Sequence, residues 1–159
     1  MNKMKKIVLS FFAVIVGVSV SGCWSKKEKK PELYVVNVLD KELFNDCHIK
    51  GSIHIPFEEV EQFANKIDKN SHVVFYCSNY MCTASGSSAR LFSKLGFKNV
   101  WAYEAGMAEW HQAKLPVEGS CKESYLNMKF PKPEHEEKDV QLINTDDLKN
   151  KMKEMLSIE

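Results

Sequence analysis

Continuous apolar runs and helical stripes alternate along most of this chain. Leu33-Tyr-Val-Val-Asn-Val38 is nearly unbroken apolar sequence, the pattern of a strand in a sheet covered on both faces. Asp40–Asn45 has room for one or two helical turns, and Ser52–Ile55 is a short strand closed by Pro56. Between Glu58 and Ile67, the residues Val60, Phe63, Ala64 and Ile67 share one helical face. His72–Tyr76 is a second β-branched and aromatic run. A polar loop follows it, then a helical segment Ser85–Leu95 that Gly96 ends. Val100–Tyr103 predicts another strand, Met107–Gln112 a short helix, and Leu115-Pro-Val117 closes the series. Such alternation predicts an α/β fold, a mainly parallel sheet with helices on both faces. Ligands of these sheets bind at the carboxyl ends of the strands.

One such strand end carries a cysteine. Cys77 ends the His72–Tyr76 run, and the segment after the loop begins with Ser85, a preferred N-cap residue. A helix N-terminus offers unpaired N–H groups and partial positive charge, which favour a thiolate, the form that attacks sulfur. The alternative is a buried strand-end cysteine packing as a small hydrophobe. The loop Ser78, Asn79, Tyr80, Met81, Cys82, Thr83 would then form the substrate cradle, its backbone N–H groups curling around the Cys77 sulfur as an anion nest. Cys82 has three open roles: a packing residue, a partner in a reversible Cys77–Cys82 disulfide, or a thiol that resolves a Cys77 persulfide.

The N-terminus predicts an address. Lys3, Lys5 and Lys6 precede an apolar run Ile7–Val20, followed by Ser21-Gly-Cys23. The run is shorter than the roughly 18 residues of a bilayer-spanning helix, and its flanks read as an export signal. Val20-Ser-Gly-Cys23 resembles the lipobox of bacterial lipoproteins. The resemblance implies cleavage of 1–22 and lipidation of Cys23, hence an exported, membrane-anchored protein of the cell envelope, facing the periplasm in a Gram-negative source. Residues 23–31, with Lys26-Lys-Glu-Lys-Lys30, would be a solvated tether.

Composition narrows the partners. A hydrophobic share of 44% with 11% aromatics suffices for a core, and a formal net charge of +1 points to no polyanionic partner. Basic residues are scattered without an aromatic-basic stripe, so no nucleic acid is expected. Cys47, Cys77, Cys82 and Cys121 show no metal-like spacing, so neither metal nor cofactor is predicted. Cys47 and Cys121 have the option of pairing, which sequence leaves unfixed.

From about Leu33 to Glu118 the chain resembles a single rhodanese (sulfurtransferase) domain. His48-Ile-Lys-Gly-Ser-Ile-His-Ile-Pro56 matches the family's Gly-His-Ile-x-Gly-Ala-x-x-x-Pro stretch, with Cys47 at its first glycine. Val-Val-Phe-Tyr-Cys77 matches the strand into the catalytic cysteine. Gly96-Phe-Lys-Asn-Val100 matches the link to the next strand. Glu104-Ala-Gly-Met-Ala-Glu-Trp110 with Leu115-Pro-Val117 matches the closing signature. The resemblance implies a rhodanese-like domain over 32–118. It also implies a sulfurtransferase that carries sulfane sulfur on Cys77, takes it from a small sulfur donor and yields it to a thiol or cyanide.

Departures from the family pattern temper that expectation. Asn37-Val-Leu39 stands where Asp-x-Arg is usual, and Ala105 replaces a glycine. The loop is about two residues longer than the compact family loop and lacks a cation; Arg90 is the only arginine and lies past it. It resembles a Cys-x4-Cys-x2-Ser variant. A phosphatase would need an arginine gripping phosphate from the loop, which is missing. Two alternatives follow: a catalytically degenerate binding module, or a thiol–disulfide protein using Cys77 and Cys82. His48 and His54 are read as structural, and Trp101, Tyr103 and Trp110 as core. Residues 119–139, with Lys129-Phe-Pro-Lys-Pro133 and a charged run, read as a linker. Residues 140–159 hold a strand, Val140–Ile143, and a helix capped by Thr145 with Leu148, Met152 and Met155 on one face, expected to pack back on the domain.

Overall fold

The computed structural model describes residues 31–134 and 139–157. The signal segment 1–22, Cys23, the lysine-rich tether and charged residues 135–138 lie outside them. The apolar runs form β1 (Leu33–Asn37), β3 (Ile53–His54), β4 (His72–Tyr76) and β5 (Asn99–Tyr103), joined as a parallel sheet in the order β3-β1-β4-β5. A separate antiparallel pair joins β2 (Cys47–Ile49) to β6 (Val117–Gly119). The helices are α1 (Lys41–Asp46), α2 (Val60–Ala64), α3 (Ala84–Lys94), α4 (Gly106–Gln112) and α5 (Thr145–Leu156).

β1 and β4 are mostly apolar because both faces are covered, yet the two-residue strand period still sorts their side chains. Val74 and Tyr76 of β4 enter a core with Leu33, Val35, Met107, Trp110, Leu148 and Met152. Val73, Phe75 and Cys77 enter the opposite core, with Val60, Phe63, Ala89, Phe92 and Phe97. α2 and α3 therefore cover one face of the sheet, and α4 and α5 the other.

Several elements differ from the sequence reading at their ends. The Glu58–Ile67 helix is a 3-10 turn, Phe57–Glu59, followed by the short α2, which ends at Ala64. The pairing of β2 with β6 has no periodic sequence pattern, since each contributes only three residues. It is held beside the Cys47–Cys121 disulfide. That bond closes a loop of sequence separation 74, which contributes about 4 kcal/mol by restricting the unfolded chain. Next to it, Asp46 accepts the backbone N–H groups of Lys122 and Glu123 and the Ser120 hydroxyl. Residues 119–128, read as linker, are thus built into the domain, and Leu126 is fully buried.

The C-terminal residues fold onto the sheet. Ala102 donates its N–H to Gln141 O (2.9 Å) and accepts that of Ile143 (3.1 Å), one parallel bridge along the outer edge of β5. Asn144, not Thr145, caps α5, its side chain accepting the N–H of Asp147 at 2.9 Å. Thr145 is the first helical residue and its hydroxyl is used elsewhere. Leu148 and Met152 point into the core, while Met155 is half-buried. Trp101, expected in the core, is half-buried under the Lys151 ammonium, 4.3 Å from its ring centre.

Leu148 has no exposed surface. Leu148→Ala should cost about 2–5 kcal/mol in urea unfolding, whereas Lys149→Ala on the exposed face of the same helix should stay within about 0.5 kcal/mol. Equal midpoints for the two variants would show that α5 is not part of the cooperative core.

Candidate active site

Cys77 lies just past the C-terminal end of β4, between that strand and α3. Its loop is clamped by the start of α4. Met107 N–H donates to Cys77 O and Ala108 N–H to Ser78 O, each at 2.9 Å. Gly106 makes this contact possible. It has φ +62°, and a Cβ there would lie 2.6 Å from Cys77 O and 2.7 Å from Asn79 N, so a side chain is excluded by backbone atoms. The glycine of the closing motif is therefore a packing requirement of the loop.

The two loop sulfurs have opposite surroundings. Cys77 Sγ is fully buried and donates to Cys82 O at 3.2 Å, with Asn79 O at 3.9 Å. Ser85 Oγ lies 3.4 Å away. Cys82 is half-buried and packs against the cluster that holds Cys77. In place of the expected cradle of loop N–H groups, Cys77 meets loop carbonyls on one side and Ser85 at the start of α3 on the other. The hydrogen bond to Cys82, and then burial, raise the Cys77 thiol above its ordinary value. That same bond, followed by the Ala84 and Ser78 donors, lowers Cys82 against the opposing cost of its burial.

The remaining loop residues have definite partners. Ser78 is half-buried and accepts from the Asn79 amide at 3.2 Å. Asn79 is buried; its side-chain oxygen takes Met81 N–H and its carbonyl takes Cys82 N–H, folding the loop back on itself. Met81 is 67% exposed at the loop tip. Thr83 sits at the N-cap of α3 without a side-chain cap bond, and α3 begins at Ala84. Ser85, assigned by sequence to the cap, therefore lies inside the helix with its buried hydroxyl toward Cys77.

Tyr80 reaches away from the sulfurs. Its hydroxyl donates to Glu109 Oε2 of α4 at 2.9 Å, and burial followed by that carboxylate pushes the phenol up to about 12. The other Glu109 oxygen accepts from Thr145 of α5, and Tyr103 OH lies 2.9 Å from the Thr145 hydroxyl. A chain of hydroxyls thus ties the C-terminal helix to the cysteine loop through one carboxylate. Sequence reasoning missed Ser85, Gly106, Glu109 and Thr145 as parts of this site. Only Ser85 and Gly106 left a trace in it, one through the helix register and the other through the closing motif. Glu109 and Thr145 stand 36 positions apart with no local pattern between them.

The flanking elements carry the expected structural histidines. His48 Nδ1–H donates to Phe44 O (2.8 Å) and His54 Nε2–H to Leu39 O (2.7 Å). Asn37, at the usual aspartate position, is buried and accepts Leu39 N–H at 2.9 Å, so it shapes the strand end without a charge. Arg90 is engaged by Asp139 at 2.7 Å. Among the described residues, no three His, Cys, Asp or Glu side chains assemble as a metal site.

A family model for the rhodanese-like domain matches residues 21–113, more than half of the chain. The chain belongs to the rhodanese-like family. The putative sulfur carrier protein YrkF of Bacillus subtilis is 31% identical over 93 residues, which are 58% of this chain and 49% of that protein. This chain thus spans about half the length of that relative. The thiosulfate sulfurtransferase GlpE of Vibrio cholerae is 26% identical over 103 residues, 65% of this chain and 94% of that protein. Among solved structures, the BH2092 protein of Bacillus halodurans aligns with a TM-score of 0.51 at 30% identity, over 56% of this chain and 65% of that one.

A lowered pKa leaves more thiolate at a given pH, so alkylation of Cys82 should already be fast at pH 7, below the ordinary thiol range near 8.5. Cys77 should label last and only in alkaline solution. Peptide mass mapping after iodoacetamide treatment across pH 5–9 checks the order, and labelling of Cys77 first would reverse the electrostatic assignment.

Proposed function

We propose that this rhodanese-like domain is a sulfurtransferase that carries sulfane sulfur as a persulfide on Cys77. The observation that supports this most is the position of Cys77: the carboxyl end of a central parallel strand, facing a Ser85 hydroxyl, in a loop clamped by α4. Similarity to a protein described as a thiosulfate sulfurtransferase supports the same chemistry.

Activation follows from the contact between the two sulfurs. The hydrogen bond to Cys82 is the largest cause of the raised Cys77 thiol, so a donor that parts the two sulfurs removes it, and the Ser85 N–H and hydroxyl then favour a Cys77 thiolate, its proton passing to water. Cys77 then attacks the outer sulfur of the donor, and the leaving thiolate takes up a proton from water. An acceptor thiol or cyanide removes the sulfur. Because Cys77 has no exposed surface, donor entry requires the residues packed around it to part. With no Lys or Arg in residues 78–84 and Arg90 held by Asp139, donors of low charge suit this loop better than a dianion such as thiosulfate.

We place the domain outside the cytoplasm, held to a membrane by lipid on Cys23. The lipobox-like sequence supports this, and so does the Cys47–Cys121 disulfide, a bond that persists in oxidising compartments.

Cys77→Ser should abolish sulfur transfer from a polysulfide to an acceptor thiol, since an alkoxide is inaccessible near neutral pH and cannot form a persulfide. Transfer surviving in this variant would defeat the proposed role of Cys77. Separately, Cys23→Ala should move the protein from the membrane fraction to the soluble fraction or leave it unprocessed. Membrane association unchanged by that substitution would defeat the anchor.

A further inference from the structure

The two loop cysteines are usually weighed as nucleophile and neighbour, but their surroundings assign them different chemistry. Cys77 Sγ is fully buried and lies 3.2 Å from Cys82 O, so a persulfide formed on it sits against the residue five positions later in the same loop. In its protonated form, Cys77–S–SH, the leaving group is hydrosulfide. Cys82 is half-buried and free, and its lowered pKa supplies thiolate. The Asn79–Cys82 turn, closed by the 3.0 Å hydrogen bond from Cys82 N–H, packs the Cys82 side chain against the core cluster that holds Cys77. Both thiols are free, while the other described pair, Cys47 and Cys121, is already joined.

A second free thiol packed against the persulfide position is placed to attack it. We propose that Cys82 is a resolving thiolate that attacks Sγ of the Cys77 persulfide, expels hydrosulfide and closes a Cys77–Cys82 disulfide. The proposal rests on the persulfide reading above and adds a second activity to it, reductive release of sulfide.

The step balances. The bond that forms joins Cys82 Sγ to Cys77 Sγ, and the bond that breaks joins Cys77 Sγ to the sulfane sulfur. The electron pair of the broken bond departs with that sulfur, which keeps its proton and leaves as HS⁻. The sulfane sulfur is reduced by two electrons and the cysteine pair is oxidised by two. A further turnover consumes an external dithiol, which reduces the loop disulfide by thiol–disulfide exchange. The overall conversion is sulfane sulfur plus dithiol to sulfide plus disulfide.

The test is a single exposure of the full chain, with Cys47–Cys121 intact, to inorganic polysulfide without added thiol. Released sulfide is measured, followed by intact mass and peptide mapping. The wild-type chain should release about one sulfide per chain and finish about 2 Da lighter, the loss mapping to Cys77–Cys82. Cys82→Ser and Cys82→Ala should release under about a tenth as much and stay about 32 Da heavier, the added sulfur mapping to Cys77. Wild-type protein that keeps the added sulfur and releases no sulfide overturns the resolving role by itself, whether or not the variants fold. The same holds for a Cys77–Cys82 disulfide that forms equally without polysulfide. If instead Cys82→Ser is folded by circular dichroism yet takes up no sulfur at Cys77, the sulfurtransferase reading falls first, and the resolving role with it.

Discussion

Everything at the sulfur site depends on one backbone contact, the seating of the α4 N-terminus against the loop after β4. Two α4 N–H groups occupy the carbonyls of Cys77 and Ser78, and the approach is close enough that Gly106 has no room for a Cβ. With those carbonyls held, the loop turns back over its own cysteine, and the carbonyls of Asn79 and Cys82 come to face Cys77 Sγ. The polarity of the cradle is thus set by backbone direction and not by a charged side chain.

Burial and hydrogen bonding act on the two thiols in opposite directions. In a buried site, hydrogen-bond donors stabilise an anion and acceptors stabilise a proton-bearing group, and both effects strengthen where water is absent. Cys77, fully buried and donating to Cys82 O, is raised, whereas the half-buried Cys82 is lowered. Neither shift comes from a cation, since the chain's only arginine is paired with Asp139 on the flank of α3.

The outer parts of the domain stiffen this site from a distance. Glu109 joins Tyr80 of the loop to Thr145 of α5, and Leu148 and Met152 bury α5 in the core behind β4. On the opposite edge, the Cys47–Cys121 disulfide and the Asp46 hydrogen bonds fasten β2 and β6, next to the Ile49 N–H that Tyr76 OH accepts at 3.1 Å. Tyr76 immediately precedes Cys77, so this edge also holds the end of the central strand.

The sequence alone determined the layers of the fold and the address of Cys77. Apolar runs that are covered on both faces, and helical stripes between them, are local patterns readable residue by residue. The position of Cys77 at a strand end is equally local. Tertiary structure alone decided that loop carbonyls face the Cys77 sulfur, because that depends on how the α4 clamp turns peptide planes in a loop with no periodic pattern. It also decided that Ser85 faces Cys77, since a cap at Thr83, two residues earlier than Ser85, puts Ser85 inside the first turn in an inward position. The β2–β6 pair, the Cys47–Cys121 bond and the Tyr80–Glu109–Thr145 chain join residues far apart in sequence. Such contacts are fixed when the sheet brings distant segments together, and no residue type at either end announces its partner.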